Sequence, residues 1–330
     1  MSQNTRQNIG TVGAILTLYA ETPVHVGASA ALGAIDLPIS RERMSGLPVI
    51  PGSGLRGALR EHVASREEHP NRRGSDTVTL FGPPPGDESD ANTPKASEHS
   101  GCVSVLDARL LLLPLRSARG GWAWATSPMV LQRLQRDLQG IGAAAALGLD
   151  TLAAPKVAEG HALFSDKDSA VDLNGQLIVE DLSYSAAPSK EVTAWALALQ
   201  RLFPQGDHYE PFRARLPRQL VVLHDTDLAH LSQLGMEVST RVRIDHNTRT
   251  VAKGALWTEE ALPAESVLWS TLHFERSRVA LREAPEAVRE ILMGELFEDH
   301  DVKKGALLRV GGDVGTGRGL MGLGWTRGEQ

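Results

Sequence analysis

Cysteine is almost absent: Cys102 is the only one in 330 residues. That excludes an internal disulfide and a thiolate zinc cluster, and its neighbours supply no base to make it a nucleophile. It reads as a small core or loop residue. Long apolar runs are missing too, since nothing approaches the roughly 18 residues of a membrane span. The opening MSQNTRQNIG carries no basic-then-apolar signal pattern, so a soluble, cytoplasmic protein is expected. A basic excess is also lacking. The formal charge of -6 and pI of about 6.0 count against a grip on polyanions through bulk charge, while leaving room for a local basic groove. No Ser/His/Asp set, no H-E-x-x-H and no fixed-period repeat appear.

What is present is a chain that is 42% hydrophobic, enough to bury a sizeable core in one elaborated domain or two. TVGAILTLYAETPVHVGA (11–28) reads as a strand running into a loop with Pro23 and Gly27. LPVIPGSGLRGALREHVASREE (47–68) gives a glycine-rich turn, Ser53 as N-cap, and a helix. The run TVTLFG reads as the next strand. Residues 83–100, dense in Pro, Asp, Ser and Asn, predict a mobile surface loop. VSVLDARLLLLPL (103–115) resumes as a strand, and GGWAWATSPMVLQRLQRDLQGIG (120–142) as a strand plus a helix begun by Ser127 and Pro128. Segments 187–203 and 284–298 are amphipathic helices. Alternation around IDHNTRT predicts a hairpin over 236–262 that exposes Arg241, Arg243, Arg249 and Lys253. The end of the chain reads as a strand followed by a glycine-rich loop over 311–324.

Two stretches match G-x-G-x-x-G: Gly52, Gly54 and Gly57, and Gly317, Gly319 and Gly322. Neither sits in a βαβ unit with a ribose-binding acid, and no P-loop Lys-Ser/Thr follows Gly317, so a nucleotide pocket is not supported. A helix beginning at Ser53 with Arg56 one turn in is nevertheless a site for an anion. The glycine loop with Arg318 lets a phosphate backbone approach the main chain. Each motif alone is explained by turn formation, but together they favour a polymeric RNA or DNA partner. In GAIDLPISRER (33–43) Asp36 is either a turn-former or, with His25, Glu259 and Glu260 as partners, part of a site for a hard divalent cation.

TPVHVGASAALGAIDLPISRER, LPVIPGSGLRGALRE, LDARLLLLPLRS, GALWTEEALP and GGDVGTGRGLMG, in this order across nearly the whole chain, resemble the RNA-guided backbone subunits of type III-B CRISPR (Cmr) effector complexes. These are RAMP-superfamily proteins of the Cas-seven-like kind. The resemblance implies an α+β fold over 1–330, with a ferredoxin-like (RRM-like) palm, inserted fingers and a β-hairpin thumb. It implies stacking of copies along a CRISPR RNA, contact with other Cmr subunits, and cleavage of guide-paired target RNA at regular intervals with a divalent metal ion such as Mg²⁺ or Mn²⁺. It also implies that Asp36 is the essential acid, that His25 and the pair Glu259 and Glu260 match the family's residues, and that Thr258 departs from an aromatic expected there; Asp36 is then expected to bind the metal or position its water, assisted by His25 and Glu259 or Glu260.

The residues expected to hold RNA are Ser53, Gly54, Arg56, Arg60, Arg41, Arg43, Arg249, Lys253, Gly317, Arg318 and Gly319. Two rival readings stand beside target cleavage: a non-catalytic CRISPR RNA-binding scaffold, and a metal-independent CRISPR RNA-processing endoribonuclease with His25 as base. Phosphate contacts predict RNA binding that weakens as salt rises, because binding releases counterions. A filter-binding series over increasing salt checks this; a flat response would contradict it.

Overall fold

All nine residues of β1 (Val12–Ala20, VGAILTLYA) are buried, as a strand covered on both faces requires. The computed structural model describes residues 12–28, 35–84, 92–278 and 283–328. After β1 come β2 (Val49–Ile50), α1 (Gly52–Ala64), α2 (Asp76–Phe81), β3 (Val103–Val105), β4 (Ala108–Ser117), β5 (Gly121–Thr126) and α3 (Pro128–Gly140). The middle of the chain adds β6 (His161–Ser165), β7 (Gln176–Val179), β8 (Leu182–Ser189), α4 (Lys190–Leu199), α5 (Glu210–Gln219), β9 (Leu220–Leu223) and α6 (Asp225–Leu234). A hairpin of β10 (Glu237–Ile244) and β11 (Val251–Ala261) follows, then β12 (Val267–Phe274), α7 (Pro285–Leu296), β13 (Leu307–Arg309) and β14 (Leu320–Arg327). The fold is mixed α+β.

Four strands lie side by side in the order β14-β1-β12-β4, each antiparallel to its neighbour. Helix α1 falls between β1 and β4 in the chain, and α7 between β12 and β14. Beyond β4 the sheet continues through β5, β9, β6, β8 and β7, and Ser117 of β4 pairs with Val179 of β7, closing these six strands into a ring. Helix α1 buries Leu55, Leu59 and Val63 along one stripe, each contributing about 1.5–3 kcal/mol by leaving water. Tyr19 on β1 meets Phe203, Tyr209 and Phe212 at ring separations of 5.6, 5.5 and 5.8 Å, which joins the four-strand layer to the inserted part.

Three local expectations are corrected. TVTLF is helical, as α2, because Ser75 Oγ accepts from the Val78 N–H and the Glu67 carboxylate accepts from the Asp76 and Thr77 N–H groups. Capping interactions of about 1 kcal/mol each match the whole span of β-propensity, about 1 kcal/mol, and here outweigh it. Pro51, not Ser53, is the N-cap of α1, and the first N–H, of Gly52, donates to Asp107 Oδ1 at 2.7 Å. The glycine-rich end is a loop only as far as Gly319, after which β14 pairs with β1. Gly322 and Gly324 permit this because a Cβ there would meet the Tyr209 hydroxyl and the Leu202 carbonyl.

Ser127 precedes α3 as expected, but its side chain makes no cap bond; Asp225 Oδ1 takes the Met129 N–H instead. Cys102 is buried, its thiol donating to the Thr79 carbonyl at 2.7 Å, and burial pushes its pKa up to about 11. Of the loop expected at 83–100, residues 85–91 lie outside the described residues. Its C-terminal flank is held by Arg73, which pairs with Glu98 at 2.7 Å.

The turn from β11 into β12 contains Glu265 at a φ of 69°. Its N–H donates to the Ala20 carbonyl at 2.7 Å and its carbonyl accepts from Trp124 Nε1 at 2.8 Å. The side chain turns inward, and its Oε2 has no hydrogen-bond partner among the described residues. Burial alone raises the carboxyl from 4.5 to about 7. Because the folded value lies above the unfolded one, folding is favoured fully below pH about 4.5 and loses that contribution as pH climbs through about 7. Glu265→Gln is therefore expected to raise the melting temperature at pH 7.5 while changing it little at pH 4.5. Equal shifts at both pH values would contradict the assignment.

Candidate active site

β10 and β11 form a two-stranded sheet of their own, in register from Glu237 opposite Ala261 to Val242 opposite Leu256, with an irregularity before Ile244. The tip is closed by Asp245, whose Oδ1 accepts from the N–H groups of Asn247 and Thr248. Arg249, there in the left-handed region at φ 55°, is exposed, as is Arg243. Lys253 lies on β11, and its side chain is outside the described residues.

The other edge of β11 is covered by two loop segments. Val24 and Leu262 exchange both backbone hydrogen bonds at 2.9 Å. The Leu37 N–H donates to the Thr258 carbonyl and the Glu260 N–H to the Leu37 carbonyl, both at 3.0 Å. His25 Nδ1 lies 2.7 Å from the Glu260 carbonyl; a carbonyl only accepts, so Nδ1 carries a proton in this contact. His25 and Asp36 are thus tied to Glu260 and Thr258 of one strand edge, positions about 7 Å apart along a strand.

Asp36 is exposed, and its carboxylate is nonetheless fixed. Oδ2 accepts from the Thr258 N–H at 2.7 Å and from Thr258 Oγ1 at 2.9 Å, while the Asp36 N–H donates back to Oγ1 at 3.0 Å. The Thr258 backbone bond first, then its hydroxyl, holds the carboxyl below the usual value, so it is ionised at neutral pH. Oδ1 has no partner among the described residues.

The acidic pair behaves differently. Successive side chains of a strand point to opposite faces, and Glu259 and Glu260 are both buried on separate errands. Glu260 pairs with Arg41 Nη2 at 2.5 Å and accepts from the Ile39 N–H at 2.9 Å. Glu259 lies between Arg318 at 3.1 Å and Arg241 at 3.3 Å. Burial, with the Asp313 carboxyl beside it, lifts Glu259 above the usual range, whereas Asp313, hydrogen-bonded by Glu259, sits below. Neither glutamate joins the Asp36 carboxylate in a ligand set. Among the described residues no group of three or more His, Cys, Asp or Glu is arranged to hold a metal.

Several arginines expected to meet RNA are occupied. Arg41 donates to the Gly46 and Ser232 carbonyls as well as to Glu260. Arg56 and Arg60 close the end of α2, donating to Phe81 O at 2.6 Å and Gly82 O at 2.7 Å. Arg318 is buried, its Nη2 on Ser239 Oγ at 3.1 Å. Gly319 is required by its own chain, since a Cβ there would strike the Val310 carbonyl. Arg43, Ser53, Gly54 and Gly317 are exposed. Gly54 and Gly57 share an open cleft of about 800 Å³ with Gly311 and Val314, so the first glycine motif and the terminal loop face one space. Sequence reasoning noted Thr258 only as a departure from an expected aromatic and missed Asp313; the contacts of both become visible only once β11 is paired.

A model of the RAMP superfamily matches residues 17–325. The chain belongs to the RAMP superfamily. This RAMP protein is similar over 311 residues, at 29% identity and 93% of each chain, to the CRISPR system Cmr endoribonuclease Cmr4 of Pyrococcus furiosus. It is 24% identical to the CRISPR system CMR subunit Cmr4 of Saccharolobus solfataricus, over 93% of this chain and 94% of that one. Its fold matches that of oligomeric Cmr4 from Pyrococcus furiosus with a TM-score of 0.68 at 20% identity, covering 97% of this chain and 100% of the other.

The buried charges make a direct prediction. Removing Arg318 leaves Glu259 with Arg241 alone, and breaking a buried pair in this way costs about 3 kcal/mol. Arg318→Ala should lower the urea midpoint accordingly, and adding Glu259→Gln should restore part of the loss. An unchanged midpoint for the single variant would show the pair to be energetically idle.

Proposed function

We propose that this RAMP protein is a CRISPR RNA-binding backbone subunit of a type III-B effector complex, and that it cleaves guide-paired target RNA by attack of the RNA 2′-OH on the adjacent phosphate, forming a cyclic phosphate as the bond to the next nucleotide's 5′-oxygen breaks and that oxygen takes a proton from water. The likeness to the Cmr4 relatives supports the class. A chain from a type III-B Cmr-beta complex bound to cognate target RNA has the same fold, with a TM-score of 0.67 at 20% identity, covering 95% of this chain and 96% of that one. The strand order β14-β1-β12-β4, with α1 and α7 in the connections, supports a ferredoxin-like palm, in which β10–β11 is the thumb and the β5–β9 region the fingers. Copies of the chain, CRISPR RNA, target RNA and other Cmr subunits are its partners, and the cytoplasm is its compartment.

The observation that carries the catalytic part is the Asp36 carboxylate: ionised, exposed, and clamped through one oxygen so that the other faces outward. A single carboxylate oxygen fits a hydrated Mg²⁺ or Mn²⁺ that takes its remaining ligands from water and phosphate. Asp36 would hold the ion, which supplies neutralisation of charge on the scissile phosphate. Glu259 and Glu260 contribute by fixing the strand and loop that carry Asp36. His25, held through Nδ1, has Nε2 as the atom that would take the 2′-OH proton when the ring is neutral. Exposed Arg43 and Arg249, with the Gly54 to Gly311 cleft, are surfaces along which a phosphate backbone can lie.

The assay is cleavage of a labelled target by the assembled complex. Asp36→Asn keeps the shape and should bind guide and target normally while slowing cutting by at least a hundredfold, the scale of a lost charge-stabilising group. Undiminished cutting by this variant would sink the assignment. The fixing of His25 through Nδ1 also favours a second reading, metal-independent cleavage with His25 as base, for which full activity in EDTA would speak.

A further inference from the structure

Thr258 spends every polar atom it has on the Asp36–Leu37 segment. Its N–H and Oγ1 both reach Asp36 Oδ2, Oγ1 also accepts from the Asp36 N–H, and its carbonyl accepts from the Leu37 N–H. The hydroxyl has one proton to give and lone pairs to receive, so donating to the carboxylate and accepting from the amide uses it fully. The residue stands on β11 opposite Thr240; it therefore belongs to the hairpin, whereas Asp36 belongs to a loop 222 positions away in sequence.

We propose that Thr258 is the positioning residue of the cleavage site, holding Asp36 Oδ2 so that Oδ1 is the oxygen left for a ligand. The inference rests on the reading of Asp36 given above. With only the backbone N–H left, the carboxylate would be held by one donor and free to turn about its terminal torsion. With Oγ1 present, two donors converge on the same oxygen and the Asp36 amide is pinned as well. The neighbouring ion pairs of Glu259 and Glu260 fix this part of β11, so Thr258 offers the carboxylate a stationary clamp.

Thr258→Val keeps the shape and the backbone bonds but removes Oγ1, while Thr258→Ser retains the hydroxyl. In the complex assembled with guide RNA, Thr258→Val is expected to lower the cleavage rate about tenfold, the scale of one lost hydrogen bond to a charged group. It should leave the affinity for target RNA unchanged and raise the Mn²⁺ concentration for half-maximal cutting. A second readout needs no turnover. Electron paramagnetic resonance of Mn²⁺ bound to the complex with a 2′-deoxy target should report weaker binding for Thr258→Val and near-normal binding for Thr258→Ser.

Three results would overturn the proposal: normal cutting and Mn²⁺ binding by Thr258→Val, loss shared equally by Thr258→Ser, or a loss that follows RNA affinity. Asp36→Asn separates the layers. If it cuts normally, the reading of Asp36 has failed; if it is inactive and Thr258→Val is not impaired, only the inference about Thr258 has failed.

Discussion

The site exists because the outer edge of β11 is filled by loops. A strand edge presents unpaired N–H and C=O groups that must find partners. Here residues 24–25 and 36–37 supply them, through Val24 to Leu262, Leu37 to Thr258 and Glu260, and His25 to the Glu260 carbonyl. These bonds bring an acid and a histidine from an early loop onto a strand that follows more than 200 residues later. Without them Asp36 is a solvated carboxylate in a turn. With them it has a fixed direction and a lowered pKa.

Two adjacent glutamates are divided by the pleat. Glu260 faces the loop and neutralises Arg41, which in turn holds the Gly46 turn and the end of α6. Glu259 faces the other way and gathers Arg241 of the hairpin with Arg318 of the terminal loop. Charges this deeply buried are costly unless paired, so each locks the pieces it joins. The hairpin base is thereby fastened to the body on both faces, while its far half carries exposed Val242, Leu256 and Arg243. The base is thus fixed where β11 holds the Asp36 carboxylate, and the outer half is left open.

Much of this was legible from residues. The apolar VGAILTLYA, the Leu55, Leu59, Val63 stripe and the polar IDHNTRT tip announce a strand, a helix and a hairpin because each pattern is local. Other elements were hidden because distant residues decide them. TVTLF is β-branched and reads as a strand until Glu67 caps it, and LMGLGWTR reads as loop until its glycines are seen against Tyr209 and Leu202. Arg56, Arg60 and Arg318 look like phosphate ligands in sequence, and the fold also gives each a contact within this chain, to carbonyls for Arg56 and Arg60 and to Glu259 for Arg318.

The sequence by itself determined the types of element, the family pattern around Asp36, and the presence of an acidic pair after Trp257. It could do so because side-chain periodicity and short motifs are carried by neighbours in the chain. Only the tertiary structure decided which of those acids faces outward. That choice depends on strand pairing and burial: the β11 pleat sends Glu259 and Glu260 to separate arginines, and Thr258, one residue before them, is left to hold Asp36.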